Sequence, residues 1–135
     1  MSREKEYYTP DIEDIFVGYE CELPVDGNWN KIAIMIGDFY TIDYDQLRTP
    51  YLTKEQIEGE GWSNPEVYRD GGTLLYKQEG YELTFKGENN LARSRQIKVE
   101  KVWKTMEGNR LSLCLFLGEC PSINEFRKIC KLLNI

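Results

Sequence analysis

The chain has 135 residues, of which 41% are hydrophobic and 13% aromatic, and this composition excludes global disorder. The net charge of −6 is divided unevenly, because residues 1–70 carry 16 acidic and 6 basic side chains while residues 71–135 carry 7 acidic and 11 basic ones. Histidine is absent, so the commonest general base and metal ligand is missing, and a surface that binds a partner is favoured over a reaction centre.

The N-terminal segment predicts neither a signal peptide nor a membrane anchor. Residues 1–9 are expected to fray, and the polar residues 1–6 lead into tyrosines where a signal peptide would have an apolar stretch. The longest apolar run, residues 32–36, is much shorter than the roughly 20 residues of a membrane span. We therefore expect a protein of the cytoplasm of a bacterial host cell, without a membrane partner.

Alternation with period two predicts a first strand over residues 15–23. Its apolar face is formed by Ile15, Val17, Tyr19, Cys21 and Leu23. Glu20 and Glu22 are expected on the opposite, solvent-exposed face, and residues 24–28 predict a loop. Residues 30–44 are less regular: residues 32–36 could be a buried strand or the inner part of a short helix, and we favour a strand or an irregular extended segment.

Residues 53–62 predict a short helix that leads into a sheet. Thr53 can cap the helix start while Gln56, three residues later, returns the hydrogen bond. Gly59 and Gly61 end the helix after about two turns. Trp62 is then expected to pack against the sheet.

From residue 73 onward, turn residues at regular spacing separate alternating stretches and predict an antiparallel β-meander. The four predicted strands cover residues 73–77, 81–86, 96–104 and 110–117. In the third of these strands, Ile97, Val99 and Trp103 are expected to face the core.

An amphipathic helix is predicted at the C-terminal end of the chain. Ser122 and Glu125 have the spacing of a capping box, and apolar residues then recur at helical intervals. A helix of this kind, packed on one face of the meander together with the short middle helix, gives an α+β fold. We predict a single domain over residues 1–135.

The residues that could carry chemistry form few recognisable patterns. Cys21, Cys114, Cys120 and Cys130 contain no C-x-x-C pair and are expected to be buried free thiols, with Cys114 and Cys130 on apolar faces. No Walker loop and no G-x-G-x-x-G, G-x-S-x-G or H-E-x-x-H motif occurs.

Two carboxylate pairs, Glu20 with Glu22 and Asp43 with Asp45, could share a proton or a cation. Glutamates on the polar face of an alternating strand are, however, what the fold itself requires. The sequence therefore predicts a protein that is not an enzyme and that has no cofactor and no metal site.

Three stretches of the chain resemble one group of proteins. Residues 7–20 (YYTPDIEDIFVGYE), residues 50–62 (PYLTKEQIEGEGW) and residues 122–135 (beginning SINEFRK) resemble the opening, middle and ending of small proteins of phages and prophages of Bacteroidota. Together they cover about a third of the chain. The resemblance implies a phage accessory protein, a context in which inhibitors of host defence are abundant, and it implies no site residues.

The acidic half of the chain carries aromatic residues between its carboxylates, a combination that favours docking on a basic partner. We expect the docking face to include Tyr40, Asp43, Tyr44 and Asp45. The alternative is an acidic surface that contacts only solvent, with the aromatic residues in the core.

A row of basic residues offers a second candidate surface. Arg93 and Arg95 are expected in the loop before the third strand of the meander, and Lys98 and Lys104 on the solvent face of that strand. Such a row can bind the phosphates of RNA, DNA or a nucleotide. Lysines also protect edge strands from unwanted pairing, so a plain solvated face and contact with an acidic protein stay open as alternatives.

The sequence thus predicts a small non-enzymatic protein that inhibits a bacterial host defence complex, like an anti-CRISPR protein, by occupying its basic nucleic-acid-binding surface. The expected partner is a host protein or ribonucleoprotein complex. In the alternative, the basic residues within 93–104 form a module that binds RNA or sequesters a nucleotide.

Overall fold

The computed structural model describes residues 7–67, 73–86 and 95–135. The chain divides into two compact units, Met1–Tyr51 and Leu52–Ile135, and each contains its own cluster of buried residues. Antiparallel sheets combined with a short and a longer α-helix confirm the predicted α+β class. That the whole chain behaves as one domain stays a prediction.

The first unit is built from short strands and 3₁₀ helices. Its strands are β1 (Tyr7–Tyr8), β2 (Glu20–Val25), β3 (Asn28–Ala33) and β4 (Thr49–Pro50), and its 3₁₀ helices are Ile12–Asp14, Ile36–Tyr40 and Tyr44–Gln46. β2 pairs with β3 and β1 pairs with β4, in both cases antiparallel. The core of this unit contains Ile15, Tyr19, Cys21, Ile34 and Leu47.

The β2–β3 hairpin differs from the predicted strand and loop. The strand begins at Glu20 instead of Ile15, because Gly18 adopts a left-handed conformation with φ of 94° in a turn before it. The predicted loop over 24–28 shrinks to a two-residue turn at Asp26 and Gly27, whose φ angles of 50° and 82° are typical of a type I′ turn. The twist of this turn matches that of the strands, so pairing continues up to it.

A segment from a distant part of the chain is hydrogen-bonded to β2. Glu22 and Arg48 exchange two backbone hydrogen bonds, with N···O distances of 2.8 and 3.0 Å. Next to this bridge, the Tyr19 hydroxyl lies 3.1 Å from the Thr49 hydroxyl oxygen, in the interior. The segment around residue 48 thereby pairs with the edge of β2 that does not pair with β3.

The second unit is a five-stranded antiparallel meander with two helices. Its elements are α1 (Lys54–Gly59), β5 (Ser63–Val67), β6 (Thr73–Gln78), β7 (Tyr81–Lys86), β8 (Gln96–Lys104), β9 (Arg110–Glu119) and α2 (Ile123–Leu133). The strands lie in the order β5-β6-β7-β8-β9. The predicted meander is confirmed, and β5 adds a strand that the sequence did not predict.

The two helix starts are capped in different ways. At α1 the predicted capping box is confirmed, because Gln56 N donates to the Thr53 hydroxyl and Thr53 N donates to the Gln56 side chain. At α2 the Ser122 hydroxyl accepts instead from Asn124 N, at 3.2 Å, and donates to the Glu125 carboxylate. Among the described residues, no helix has the length and hydrophobicity needed to cross a bilayer.

The apolar side of α2 packs on one face of the meander, as predicted. Ile123 and Phe126 belong to the same buried cluster as Trp62 and the inward residues of the sheet. The sheet contributes Tyr76, Leu83, Phe85, Ile97 and Val99, which are at most 1% exposed. Trp62 packs in this core as expected.

Two residues of the second unit that were expected to be inside are exposed, as is Val17 in the first unit. Trp103 is 43% exposed, because β7 ends its pairing at Lys101 and the last residues of β8 extend past it with β9 alone. Cys114, opposite Glu100 across a register shift, is also exposed. Trp103 lies at an inward position of the predicted alternation, as Ile97 and Val99 do, but the buried core ends before that residue.

Candidate functional site

The surface of the first unit is strongly acidic. Residues 7–51 contain nine acidic and two basic side chains, a net charge of −7. Glu22 is buried, and the other acidic residues are exposed or half-buried: Asp11, Glu13, Asp14, Glu20, Asp26, Asp38, Asp43 and Asp45. Of the two basic side chains of this stretch, Arg48 is paired with Glu22, and the other is Lys31. Such a field attracts a cationic partner and repels nucleic acid.

Asp43 and Asp45 are brought together by a 3₁₀ helix. Asp43 precedes the Tyr44–Gln46 turn, and its carboxylate accepts a hydrogen bond of 3.1 Å from Asp45 N. Both side chains are exposed. Within the described ranges, no cation forms an ion pair with either carboxylate, so both charges are available to a partner.

The two tyrosines predicted beside these acids occupy different environments. Tyr44 is half-buried and packs against the core of the first unit. Burial of its hydroxyl, and then the nearby Asp38 carboxylate, raise the pKa of Tyr44 above its usual value. Tyr40 ends the 3₁₀ helix Ile36–Tyr40, and its side chain lies outside the described part of the structure. Their contact with a partner stays a prediction.

Arg48 lies between two aromatic rings and a carboxylate. Its guanidinium carbon is 3.7 Å from the centre of the Tyr7 ring and 4.0 Å from that of Trp29. Its Nε and Nη2 atoms donate to Glu22 Oε1 at 2.9 and 2.8 Å. The contacts hold both rings in place, and the ion pair neutralises the Arg48 charge.

A groove of about 510 Å³ lies beside this stack and is hereafter called the Trp29 groove. Its walls are formed by Tyr7, Tyr8, Thr9, Pro24, Trp29, Asp45, Gln46, Leu47 and Arg48. Pro24 and Trp29 are direct neighbours in the β2–β3 register, and Trp29 is 44% exposed. The groove therefore combines exposed aromatic surface with the predicted acidic residue Asp45.

Several large apolar side chains of the first unit are also exposed. They are Ile12, Phe16, Val17, Val25, Trp29, Met35 and Ile36. Single exposed apolar residues are common on protein surfaces, and these seven occur within 45 residues that also carry a net charge of −7.

The predicted basic residues do not form one continuous surface. Arg95 is 4% exposed, and its Nε atom donates to the backbone oxygen of Leu52 at 3.1 Å. Arg95 lies on the same inward side of the alternation as Ile97 and Val99, so the sequence pattern could have indicated that its side chain is buried. Arg93 lies outside the described residues.

Lys98 and Lys104 are on the outer face of β8, and the strand geometry separates them by roughly 20 Å along its length. Lys98 Nζ lies 3.6 Å from Glu100 Oε1, which offsets part of its charge. A depression of about 330 Å³ beside Lys98 is lined by Lys86, Thr84 and Gln96 as well as Glu100. This is the place where a phosphate could reach the strand.

The first predicted carboxylate pair, Glu20 with Glu22, does not share a solvent-exposed face. Glu22 was expected on the solvent face with Glu20, but it is 7% exposed and bound to Arg48, because the segment around residue 48 covers that face of β2. Within residues 7–67, 73–86 and 95–135, no group of three or more Cys, Asp or Glu side chains is placed to hold a metal ion.

Cys21, Cys120 and Cys130 are protected rather than activated. Burial, followed by the Asp38 carboxylate, raises the pKa of Cys21 to about 11, and burial followed by Glu60 does the same for Cys130. Burial also raises the pKa of Cys120. A thiol with a raised pKa is a poor nucleophile at neutral pH, because little thiolate is present.

The feature that the sequence did not reveal is the Trp29 groove. Tyr7, Trp29 and Arg48 lie far apart along the chain, so no local pattern joins them. The one available signal was a tryptophan next to an Asp-Gly hairpin turn, at a position where its side chain lies on the strand surface.

Comparisons of the chain with family models, curated proteins and solved structures find no match. They leave the resemblance to phage and prophage proteins as a prediction. The surfaces described above are thus the basis on which a function can be proposed.

Proposed function

We propose that this protein acts by binding, as a phage-type inhibitor whose acidic surface docks on the basic nucleic-acid-binding surface of a bacterial host defence complex, in the manner of an anti-CRISPR protein. The observation that carries this proposal is the exposed acidic surface of residues 7–51, with Asp43 and Asp45 side by side on one 3₁₀ turn. The exposed apolar residues of the same unit add contact area, and the carboxylates steer the encounter with a basic partner.

The alternative, a module that binds RNA or a nucleotide through the basic strand, has weaker support. A side chain as buried as Arg95 offers little surface to a ligand, and the Lys98 charge is partly offset by Glu100. The depression beside Lys98 is the feature that favours this second function. This second function predicts that the affinity for RNA or a nucleotide weakens steeply as the salt concentration rises.

The proposal is tested first by identifying the partner. The tagged protein is used to capture material from a lysate of a Bacteroidota host, with and without nuclease, and the bound fraction is analysed for proteins and nucleotides. We expect a protein partner that resists nuclease. Recovery of nucleic acid or a nucleotide alone would contradict the proposal and favour the basic strand.

Variants of the acidic turn then test the docking face on the purified partner. Asp43→Lys with Asp45→Lys should weaken the affinity by about tenfold or more, since both charges would be reversed at the contact. Asp43→Asn with Asp45→Asn removes the charges but keeps an oxygen for the Asp45 N hydrogen bond, and should give an intermediate loss.

The matched control is Glu13→Lys with Asp14→Lys, which makes the same charge change on the 3₁₀ helix Ile12–Asp14. This control should mainly slow association and change the affinity by less than about threefold. Unchanged affinity in the Asp43/Asp45 reversal, measured by biolayer interferometry, would exclude this docking face.

A further inference from the structure

The Trp29 groove has the composition of a site for an extended proline-rich peptide. Two tyrosines, a tryptophan and a proline line it, namely Tyr7, Tyr8, Trp29 and Pro24. Flat aromatic side chains separated by shallow gaps accept the rings of prolines in a polyproline II peptide, which has little conformational entropy left to lose on binding. The groove volume of about 510 Å³ is sufficient for a few residues of such a peptide.

The aromatic side chains of the groove are held by contacts behind it. The Tyr8 hydroxyl lies 3.3 Å from the Tyr19 hydroxyl, and the Tyr8 ring is 4.8 Å from the centre of the Tyr51 ring. Tyr7 and Trp29 each have one face against the guanidinium of Arg48. Because these rings are already ordered, a ligand would lose less free energy in ordering them.

The charge of the groove indicates which residue accompanies the prolines. Its two charged residues are Arg48 and Asp45. The Arg48 charge is balanced by Glu22 at 2.8 Å, whereas Asp45 is exposed and has no ion-pair partner among the described residues. The carboxylate that remains, within a unit of net charge −7, favours a lysine or arginine next to the proline segment and disfavours a nucleic acid.

We propose that the Trp29 groove binds a proline-rich segment of a partner protein in the polyproline II conformation, with a flanking lysine or arginine paired to Asp45. This inference rests on the proposed function, since it names the kind of segment that the acidic unit would recognise. Contacts with the prolines of the peptide are assigned to Tyr8, Pro24 and Trp29, and the orientation of the peptide is assigned to Asp45.

The test is a nuclear magnetic resonance titration with short synthetic peptides. The indole N–H signal of Trp29 is assigned from its loss in Trp29→Phe, which separates it from those of Trp62 and Trp103. The first peptide has the pattern P-x-x-P with an arginine at one end. In the second the prolines are replaced by alanine, and in the third the arginine is replaced by glutamate. A single-stranded oligonucleotide is titrated in parallel.

We expect a saturable shift of the Trp29 signal with the first peptide, and affinities weaker by about tenfold for the other two. Asp45→Lys should reverse the preference between arginine and glutamate at the peptide end. Glu13→Lys, which makes the same charge change outside the groove, should leave that preference as it is. Because Asp45 is exposed, we expect Asp45→Lys to keep the fold, and circular dichroism checks this.

An unshifted Trp29 signal, equal shifts with the proline and alanine peptides, or a shift with the oligonucleotide alone would overturn this inference. If those results accompany a host complex that still depends on Asp43 and Asp45, the proposed function stands and the peptide site does not. Peptide binding in the groove without any captured host complex would support the peptide site and contradict the proposed function.

Discussion

The contacts of Arg48 illustrate how a single cation can organise a surface. Its guanidinium is bound on two faces by Tyr7 and Trp29 and along one edge by Glu22. The Glu22 side chain is 10% exposed and that of Arg48 is 27% exposed, so the ion pair is screened less than one on the open surface. Tyr7, Trp29 and Arg48 also line the Trp29 groove, so a variant that disturbs this stack changes the groove as well.

Removal of the Arg48 charge should destabilise the first unit. Arg48→Met keeps an apolar stem between the rings but leaves the Glu22 carboxylate buried without its cation, and we expect a loss of about 2 kcal/mol in the free energy of unfolding. Adding Glu22→Gln should recover part of this loss, because the remaining group is then neutral.

The control for this prediction is Lys77→Met. Lys77 is paired with Glu66 at 3.2 Å, but both side chains are more than half exposed, so the loss should be below about 0.5 kcal/mol. Urea unfolding followed by circular dichroism measures all three variants. Equal losses for Arg48→Met and Lys77→Met would show that the stack does not stabilise the unit.

At the scale of elements, the turn of the β2–β3 hairpin determines where Trp29 is placed. Asp26 and Gly27 both have positive φ, which allows the strands to pair up to the turn and sets Pro24 opposite Trp29. A longer loop, as the sequence alone predicted for residues 24–28, would move the tryptophan out of this register. The groove therefore depends on a two-residue turn.

Gly27→Ala should destabilise the hairpin by about 1 kcal/mol, because φ of 82° is unfavourable for a residue with a Cβ atom. The matched control is Gly37→Ala, where φ is not positive and the added Cβ meets open space, so the change should stay within about 0.5 kcal/mol. Chemical denaturation measures both. The prediction is wrong if Gly27→Ala is as well tolerated as Gly37→Ala.

At the scale of the whole molecule, the charge asymmetry of the sequence corresponds to the two units. Counted over the full sequence, residues 1–51 have a net charge of −7 and residues 52–135 of +1. The net negative charge is therefore concentrated in the first unit, and the second is nearly neutral. With no histidine in the chain, these charges change little near neutral pH.

We expect the free energy of unfolding to vary by less than about 1 kcal/mol between pH 6 and 8, and to fall between about pH 9 and 11. In the folded protein the pKa values of Cys21 and Cys130 are raised to about 11 from an ordinary value of 9.0. Over this window the unfolded chain loses its thiol protons before the folded chain does, so ionisation favours unfolding.

Urea unfolding at a series of pH values, in the presence of a reductant, measures this dependence. Cys21→Ala with Cys130→Ala should reduce the fall in the free energy of unfolding between pH 9 and 11. A steep change in the free energy of unfolding between pH 6 and 8, or an identical fall in the double variant between pH 9 and 11, would contradict the link between this fall and the two thiols.

Local chemistry allowed much of the fold to be predicted from the sequence. Turn residues and alternation predicted the strands β6, β7 and β8 to within one residue, and the spacing of Thr53 and Gln56 predicted the cap of α1. The acidic character of the first unit could be counted directly, and Asp43 and Asp45 are exposed as their use in docking requires. Each of these features depends on residues a few positions apart.

The tertiary structure alone decided which polar residues are buried and which apolar ones are not. Glu22 is covered by a segment 26 residues away, and Arg95 is bound to the backbone of Leu52. Trp103 is exposed because the meander narrows to two strands before that residue. The aromatic groove likewise joins residues from β1, β3 and the segment before β4, since a contact between distant parts of the chain leaves no periodic trace in the sequence.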